Sequence, residues 1–196
     1  MPPIIFTAIG PKSLEFAGAH CDGVLLHPFV SPTGVRNSRK IVHEAAERAG
    51  RDPASVRIYH NIIVAPDLPK EEEDAVVRGR AITYFELPGF GDLIVDINEW
   101  DRSVLDRIRS HPKIAGLKGK PADQAYTRQQ LVDVGALLPQ RWIDEGAAVG
   151  TAATCADQLM AYLDAGADEI LLHGAAPRDM GMLCEELKRS LATRGM

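Results

Sequence analysis

The sequence predicts an α/β fold built from parallel βα units, and three observations carry that prediction. Short continuous apolar runs (Ile4-Ile5-Phe6, Val24-Leu25-Leu26, Ile62-Ile63-Val64, Ile170-Leu171-Leu172) alternate with stretches of helical spacing, as expected of parallel strands buried on both faces. The first run passes through one tight turn, Gly10-Pro11, straight into a helix. Finally, Cys21-Asp22-Gly23-Val24-Leu25-Leu26-His27 is echoed by Ala167-Asp168-Glu169-Ile170-Leu171-Leu172-His173. Each copy has an acidic entry, an apolar strand and a terminal histidine.

The elements follow in order. A strand over Ile4–Ile9 leads into a helix with Leu14, Ala17 and Gly18 on one face, ending near His20–Gly23. The second strand is Val24–His27. After Pro28–Gly34 comes a long helix, Val35–Ala49, with Val42, Ala45, Ala46 and Ala49 at i, i+3, i+4 and i+7, closed by Gly50. The third strand, Val56–Ala65, is β-branched-rich and ends at Pro66. A helix from Glu71 to about Phe85 opens with acidic residues that suit its dipole, and Glu71–Asp74 reads as a solvated face rather than a metal site. Between Leu87 and Lys120 the pattern weakens, apart from a short helix at Arg102–Arg109. The stretch of about 87–126 therefore reads as an insertion, or lid, over one end of a single domain spanning 1–196. Further helices are expected at Thr127–Leu138, after a Thr151 or Thr154 cap (buried stripe Ala156, Leu159, Met160, Leu163), and at Arg178–Leu191. The fourth strand is Glu169–His173.

Bulk properties exclude several classes. A chain of 196 residues with 45% hydrophobic and 25% charged residues suits one soluble globular domain. The net charge of −5 disfavours nucleic acid or an anionic membrane surface as partner. No run is long and apolar enough for a transmembrane span, and no signal-peptide layout is present, so a cytoplasmic location is expected. Cys21, Cys155 and Cys184 are odd in number and widely spaced, which argues for buried thiols over disulfides or zinc. Gly116–Pro121 lacks the full P-loop pattern and no strand precedes it.

The chemistry is expected at the first turn. Gly10 permits unusual backbone angles and Pro11 suits the first helical position, so the amides of Lys12, Ser13 and Leu14 are expected to point out of the helix start. With the helix dipole, the Ser13 hydroxyl and the Lys12 ammonium, they compose a phosphate site; an ordinary βα connection is the other reading. In βα repeats the C-terminal strand ends gather on one rim, which would bring His27 and His173 beside that turn. Either histidine is a candidate for ligand contact or proton transfer near neutrality, or for a plain loop hydrogen bond. His60, mid-strand, is expected inside.

Pro3–Gly18, Cys21–Leu26, Val149-Gly150-Thr151 and Asp164–Leu172 together resemble the luciferase-like monooxygenase family, in its C-terminal half only. The resemblance implies a partial TIM barrel, half of a (β/α)8 enzyme that uses coenzyme F420 or, alternatively, FMN. The Gly-Pro turn and the Ala-Gly-Ala-Asp segment are most similar to the F420 branch. In that family the turn matching Ala8, Ile9, Gly10 and Ser13 lies against the cofactor and its phosphate. The family's acidic residues after the Gly-Thr cap are replaced here by Ala152-Ala153-Thr154, which weakens the helix start without touching chemistry.

A complete barrel takes about 250 residues, and four strands cannot close one. Two open sheet edges are therefore expected, covered by a second copy or by an N-terminal half-barrel partner. The family resemblance implies an oxidoreductase or monooxygenase acting on a small-molecule substrate, with no catalytic base identifiable and with activity as a single chain in doubt. A non-catalytic cofactor-binding module and a structural half-barrel are the alternatives.

Overall fold

The computed structural model describes residues 2–195. Five parallel strands form one sheet: β1 (Ile5–Ala8), β2 (Gly23–Leu26), β3 (Arg57–Pro66), β4 (Ala147–Gly150) and β5 (Glu169–Gly174). The long β3 organises the sheet. Tyr59 and His60 pair with both β2 and β5, and Ile63 and Val64 with both β4 and β5. A strand has two edges, so β2 and β4 share one edge of β3, end to end, and β5 takes the other. The order β1-β2-β3 continues the first edge outward.

Helices α1 (Pro11–His20) and α2 (Pro32–Arg48) cover the start of the sheet. They cross closely because a Cβ on Gly18 would collide with the Val42 carbonyl. Next comes one continuous helical rod: α3 (Lys70–Asp74), a π-helical turn (Ala75–Gly79) and α4 (Arg80–Phe85). Lys70 holds Glu73 at 2.8 Å and Asp74 at 2.9 Å, which accounts for much of the acidic opening as surface pairing. The stretch after it carries α5 (Phe90–Ile97), α6 (Ser103–Ser110) and α7 (Pro112–Ala115), whose Ile94, Val95, Leu105 and Ile108 are fully buried in the core. Then follow α8 (Val132–Gly135), α9 (Gln140–Gly146), α10 (Ala152–Asp164) and α11 (Gly181–Thr193). Thr151 caps α10 as expected, its hydroxyl oxygen accepting from the Thr154 amide at 3.1 Å.

The sequence echo has a structural cause. The Asp22 carboxylate accepts from the Ile4 amide at 2.7 Å, and the Asp168 carboxylate from the Ile58 amide at 2.7 Å. Each acidic entry residue thus ties the start of the neighbouring strand to its own.

Three expectations are corrected. The sheet has five strands, because Ala147–Gly150 pairs with Ile63–Pro66 rather than merely leading into α10. The single helix expected over Thr127–Leu138 is a 3-10 turn, Gln129–Leu131, followed by the one-turn α8. There Gly135 packs against the backbone of Arg78 too closely for a side chain. The strands are also not buried on both faces. Ala8, Leu26 and His60 form a buried row against the helices, whereas Thr7, Leu25, Tyr59 and Glu169 form a partly open row opposite. Ile5 and Leu171, on the open face, are 42% and 41% exposed. Their strands read as apolar on both sides although this chain covers only one.

Cys21 and Cys155 are buried free thiols and Cys184 is half-buried. Among the described residues no helix is long and apolar enough to cross a membrane, and no group of side chains could hold a metal ion.

Candidate functional site

The turn between β1 and α1 adopts a simpler geometry than the sequence suggests. Gly10 has φ −83° and ψ 156°, extended backbone open to any residue. What favours glycine there is space: a Cβ would lie 3.3 Å from both methyl carbons of Leu93. The Gly10 carbonyl accepts from the Ser13 amide at 3.1 Å, the Leu14 amide at 3.0 Å and the Ser13 hydroxyl at 2.8 Å. Of the three amides expected to be free, only that of Lys12 is: the Leu14 amide makes the first regular bond of the helix, to the Gly10 carbonyl, and the Ser13 amide shares that carbonyl in a tighter turn. Around it lies a cleft of about 520 Å³ whose walls are chiefly apolar, lined by Ile9, Gly10, Pro11, Lys12, Ser13 and Leu93, while Ala8 is buried beneath. These walls suit the face of an aromatic ring. The Lys12 amide and ammonium are the donors left for an anion.

His27 stands at the end of β2. Its Nδ1 donates to the Pro28 carbonyl at 2.8 Å, leaving Nε2 as an acceptor. Tyr84 and Phe90 meet its ring edge-on at 4.6 and 4.8 Å. Burial in this aromatic box pushes its pKa down to about 4. Behind it Phe29 takes a left-handed backbone, φ 65°, although fully buried, a strained conformation for a bulky residue. The loop holds it there through Asn98, whose amide donates to the Phe29 carbonyl and whose oxygen accepts from the Ser31 amide, both at 2.8 Å.

His173 stands near the end of β5, where its Nε2 accepts from Arg80 Nη1 at 3.1 Å, which places its proton on Nδ1. Burial first, and then the Arg80 and Arg128 charges, lower its pKa. The two rim histidines are close enough for His173 to weigh on His27. The register Ala8 opposite Leu26 sets His27 at the strand end beside the first turn, and burial lowers the pKa of both rim histidines. His60 is fully buried, donating from Nε2 to the Val30 carbonyl at 2.9 Å and packing on Tyr162.

Sequence reasoning missed Arg80, Tyr84, Phe90 and Leu93. The signal for the first was present: Arg80 interrupts the stripe Val77, Ala81, Ile82, Phe85, a charged residue on the buried face of a helix.

Parallel strands each feeding a helix, with clefts at their C-terminal ends, place the chain in the (β/α)-barrel class. Within that class the match is specific: the sequence profile of the luciferase-like monooxygenases covers residues 1–169, and the chain belongs to that family. The fold is shared with a coenzyme F420-dependent tetrahydromethanopterin reductase from Methanopyrus kandleri, at TM-score 0.69 and 18% identity over 96% of this chain and 50% of that one. It is also similar to an F420-dependent secondary alcohol dehydrogenase solved with an F420–acetone adduct (TM-score 0.58, 18% identity, 95% of this chain, 47% of that one). A long-chain alkane monooxygenase, LadA, matches at TM-score 0.57 and 16% identity, over 100% of this chain and 42% of that one. The chain spans about half the length of these structures.

Proposed function

We propose that the chain is the cofactor-binding half of an oxidoreductase using coenzyme F420, with FMN as the alternative. The observation that carries this reading is the apolar cleft beside the Gly10–Ser13 turn, at the C-terminal end of β1 in a chain of this family. Ile9 and Leu93 would flank the ring system, and Lys12 would meet the phosphate through its amide and ammonium. F420 is preferred because the Gly-Pro turn resembles the F420 branch and two of the similar structures are F420-dependent enzymes. When bound, such a cofactor supplies the redox centre, for hydride transfer or oxygen incorporation. This chain's residues supply position. Ser13 and Pro11 fix the turn, and the His27–Tyr84–Phe90 box walls the rim and offers one acceptor, His27 Nε2, to a small-molecule substrate.

Titrating the folded chain with F420 and with FMN, read by fluorescence, tests this. Binding of F420 at about 10 μM, weakened at least tenfold by Gly10→Asp, is expected. A folded chain that binds neither cofactor overturns the reading.

A second reading is a half-barrel inactive until joined by a partner, and the exposed Ile5 and Leu171 favour it. Among the described residues β1 pairs only with β2 and β5 only with β3, leaving one edge of each free. We expect the purified chain to self-associate above its 21.3 kDa monomer mass through this face. Leu171→Asp should shift sedimentation toward the monomer. A wild-type chain that stays monomeric at high concentration would leave covering of the face to a different chain.

A further inference from the structure

Arg80 points to a second binding site on the rim. It is 7% exposed, among fully buried Val77, Ala81, Ile82 and Phe85. Its Nη1 is held by His173, and its Nε has no partner. Among the described residues no carboxylate lies within ion-pair distance of Arg80 or of Arg128, although Arg78, two residues earlier on the same rod, pairs with Asp74 at 3.5 Å. A guanidinium taken out of water without a counter-ion is costly, and proteins bury such groups paired. The Arg128 guanidinium has its pKa lowered, first by burial and then by the Arg80 charge close by.

Backbone geometry enforces that proximity. At the end of the π-helical turn, Gly79 lies so near the Arg128 carbonyl that a Cβ would overlap it, so the missing side chain lets the two arginine-bearing segments meet. Between them opens a cleft of about 440 Å³, lined by Arg80, Arg128, Tyr84, Tyr126 and Thr127, with Asp123 the one acidic residue on its wall. His173 beside it, its pKa lowered chiefly by burial, cannot serve as an anionic partner. Two guanidinium forks and neighbouring hydroxyls suit an oxyanion, which arginine binds through paired charge-assisted hydrogen bonds.

We infer that the Arg80–Arg128 cleft binds the anionic end of the small-molecule substrate, a carboxylate or a phosphate, separately from the cleft at Gly10. The assignment to a substrate rests on the oxidoreductase reading; the anion site itself does not. Tyr84 lines this cleft and meets the rim histidine His27 edge-on at 4.6 Å.

The test uses inorganic phosphate as probe, at constant ionic strength against chloride and without cofactor, read by calorimetry and by melting temperature. We expect a dissociation constant of about 1 mM, weakened at least tenfold by Arg128→Gln, the scale of one lost charge-assisted hydrogen bond. Arg80→Met, which removes the buried charge and keeps the volume, should fold and lose the phosphate-dependent rise in melting temperature. If Arg80→Met does not fold, Arg128→Gln decides. Absence of phosphate binding to the folded wild type, or binding that Arg128→Gln leaves unchanged, overturns the site. A second arm repeats the F420 and FMN titrations in phosphate. Unchanged cofactor affinity supports a substrate anion, and competition overturns that assignment by making this the cofactor's own phosphate site. Should neither cofactor bind, Arg128-dependent phosphate binding still supports the anion site, and the oxidoreductase reading alone fails.

Discussion

Folding stability is expected to fall steeply as pH drops from 6.5 toward 4, by about 3 kcal/mol per pH unit, because two histidines are buried neutral. His60, fully enclosed, has its pKa pushed down to about 3, and His27, in its aromatic box, to about 4, both chiefly by loss of hydration. In the unfolded chain each takes up a proton near 6.5. Below that pH the unfolded state binds more protons than the folded one, so their stability contribution is complete above 6.5 and is lost on acidification. Each contributes roughly 1.4 kcal/mol per unit, and by pH 4 the two together remove several kcal/mol, a large share of a stability of about 5–15 kcal/mol. Glu86 acts in the opposite sense, since burial raises its carboxyl pKa, while the lowered pKa of His173 adds to the effect of His60 and His27. Urea unfolding at pH 7, 6 and 5 measures the slope. His60→Gln, which keeps a donor toward the Val30 carbonyl, should roughly halve it. Equal stability at pH 7 and pH 5 would show that these rings are hydrated and that the loop behind the rim is looser than described.

The second large effect is expected at Gly79. Gly79→Val places a branched side chain against the Arg128 backbone at a separation under 3.0 Å, where the obstacle is a carbonyl and not the flexible end of a side chain. The two segments must move apart, which costs about 3 kcal/mol or more. For a chain of this size that corresponds to a fall of roughly 10 °C in melting temperature. Separation of Arg80 from Arg128 should also abolish the phosphate response, even below the melting point. Gly181→Ala is the control: nothing lies within 4 Å of a Cβ there, and alanine at the start of α11 should be neutral or slightly stabilising. A Gly79→Val protein that melts with the wild type would mean that the π-helical turn yields freely and does not set the arginine spacing.

Much of the arrangement was legible in the sequence because it is written in local patterns. The apolar runs of β1, β2, β3 and β5, the Gly50 and Thr151 helix signals and the buried mid-strand His60 follow from periodicity and capping. The placement of His27 and His173 on one rim followed from the echoed strand units. Their charge state did not, since it depends on an aromatic box supplied by Tyr84 and Phe90 and on guanidiniums supplied by Arg80 and Arg128. The freedom of the Ser13 amide was misjudged because it depends on how tightly the first turn winds, and that of Leu14 because the cap lies at Gly10, which makes the Leu14 amide the first regular donor of the helix.

By itself, then, the sequence determined the parallel βα order, the turn at Gly10 and the family, all properties of short contiguous stretches whose spacing and residue types suffice. Tertiary structure alone decided three things. Ala147-Ala148-Val149-Gly150 becomes a strand because the free upper edge of β3 is there to pair with it, not because those residues favour extension. One sheet face stays open because the apolar residues of β1 and β5 find helices on one side only. Arg80 and Arg128 come together across 48 residues because a missing side chain at Gly79 lets two backbones touch, a long-range packing fact that no local pattern encodes.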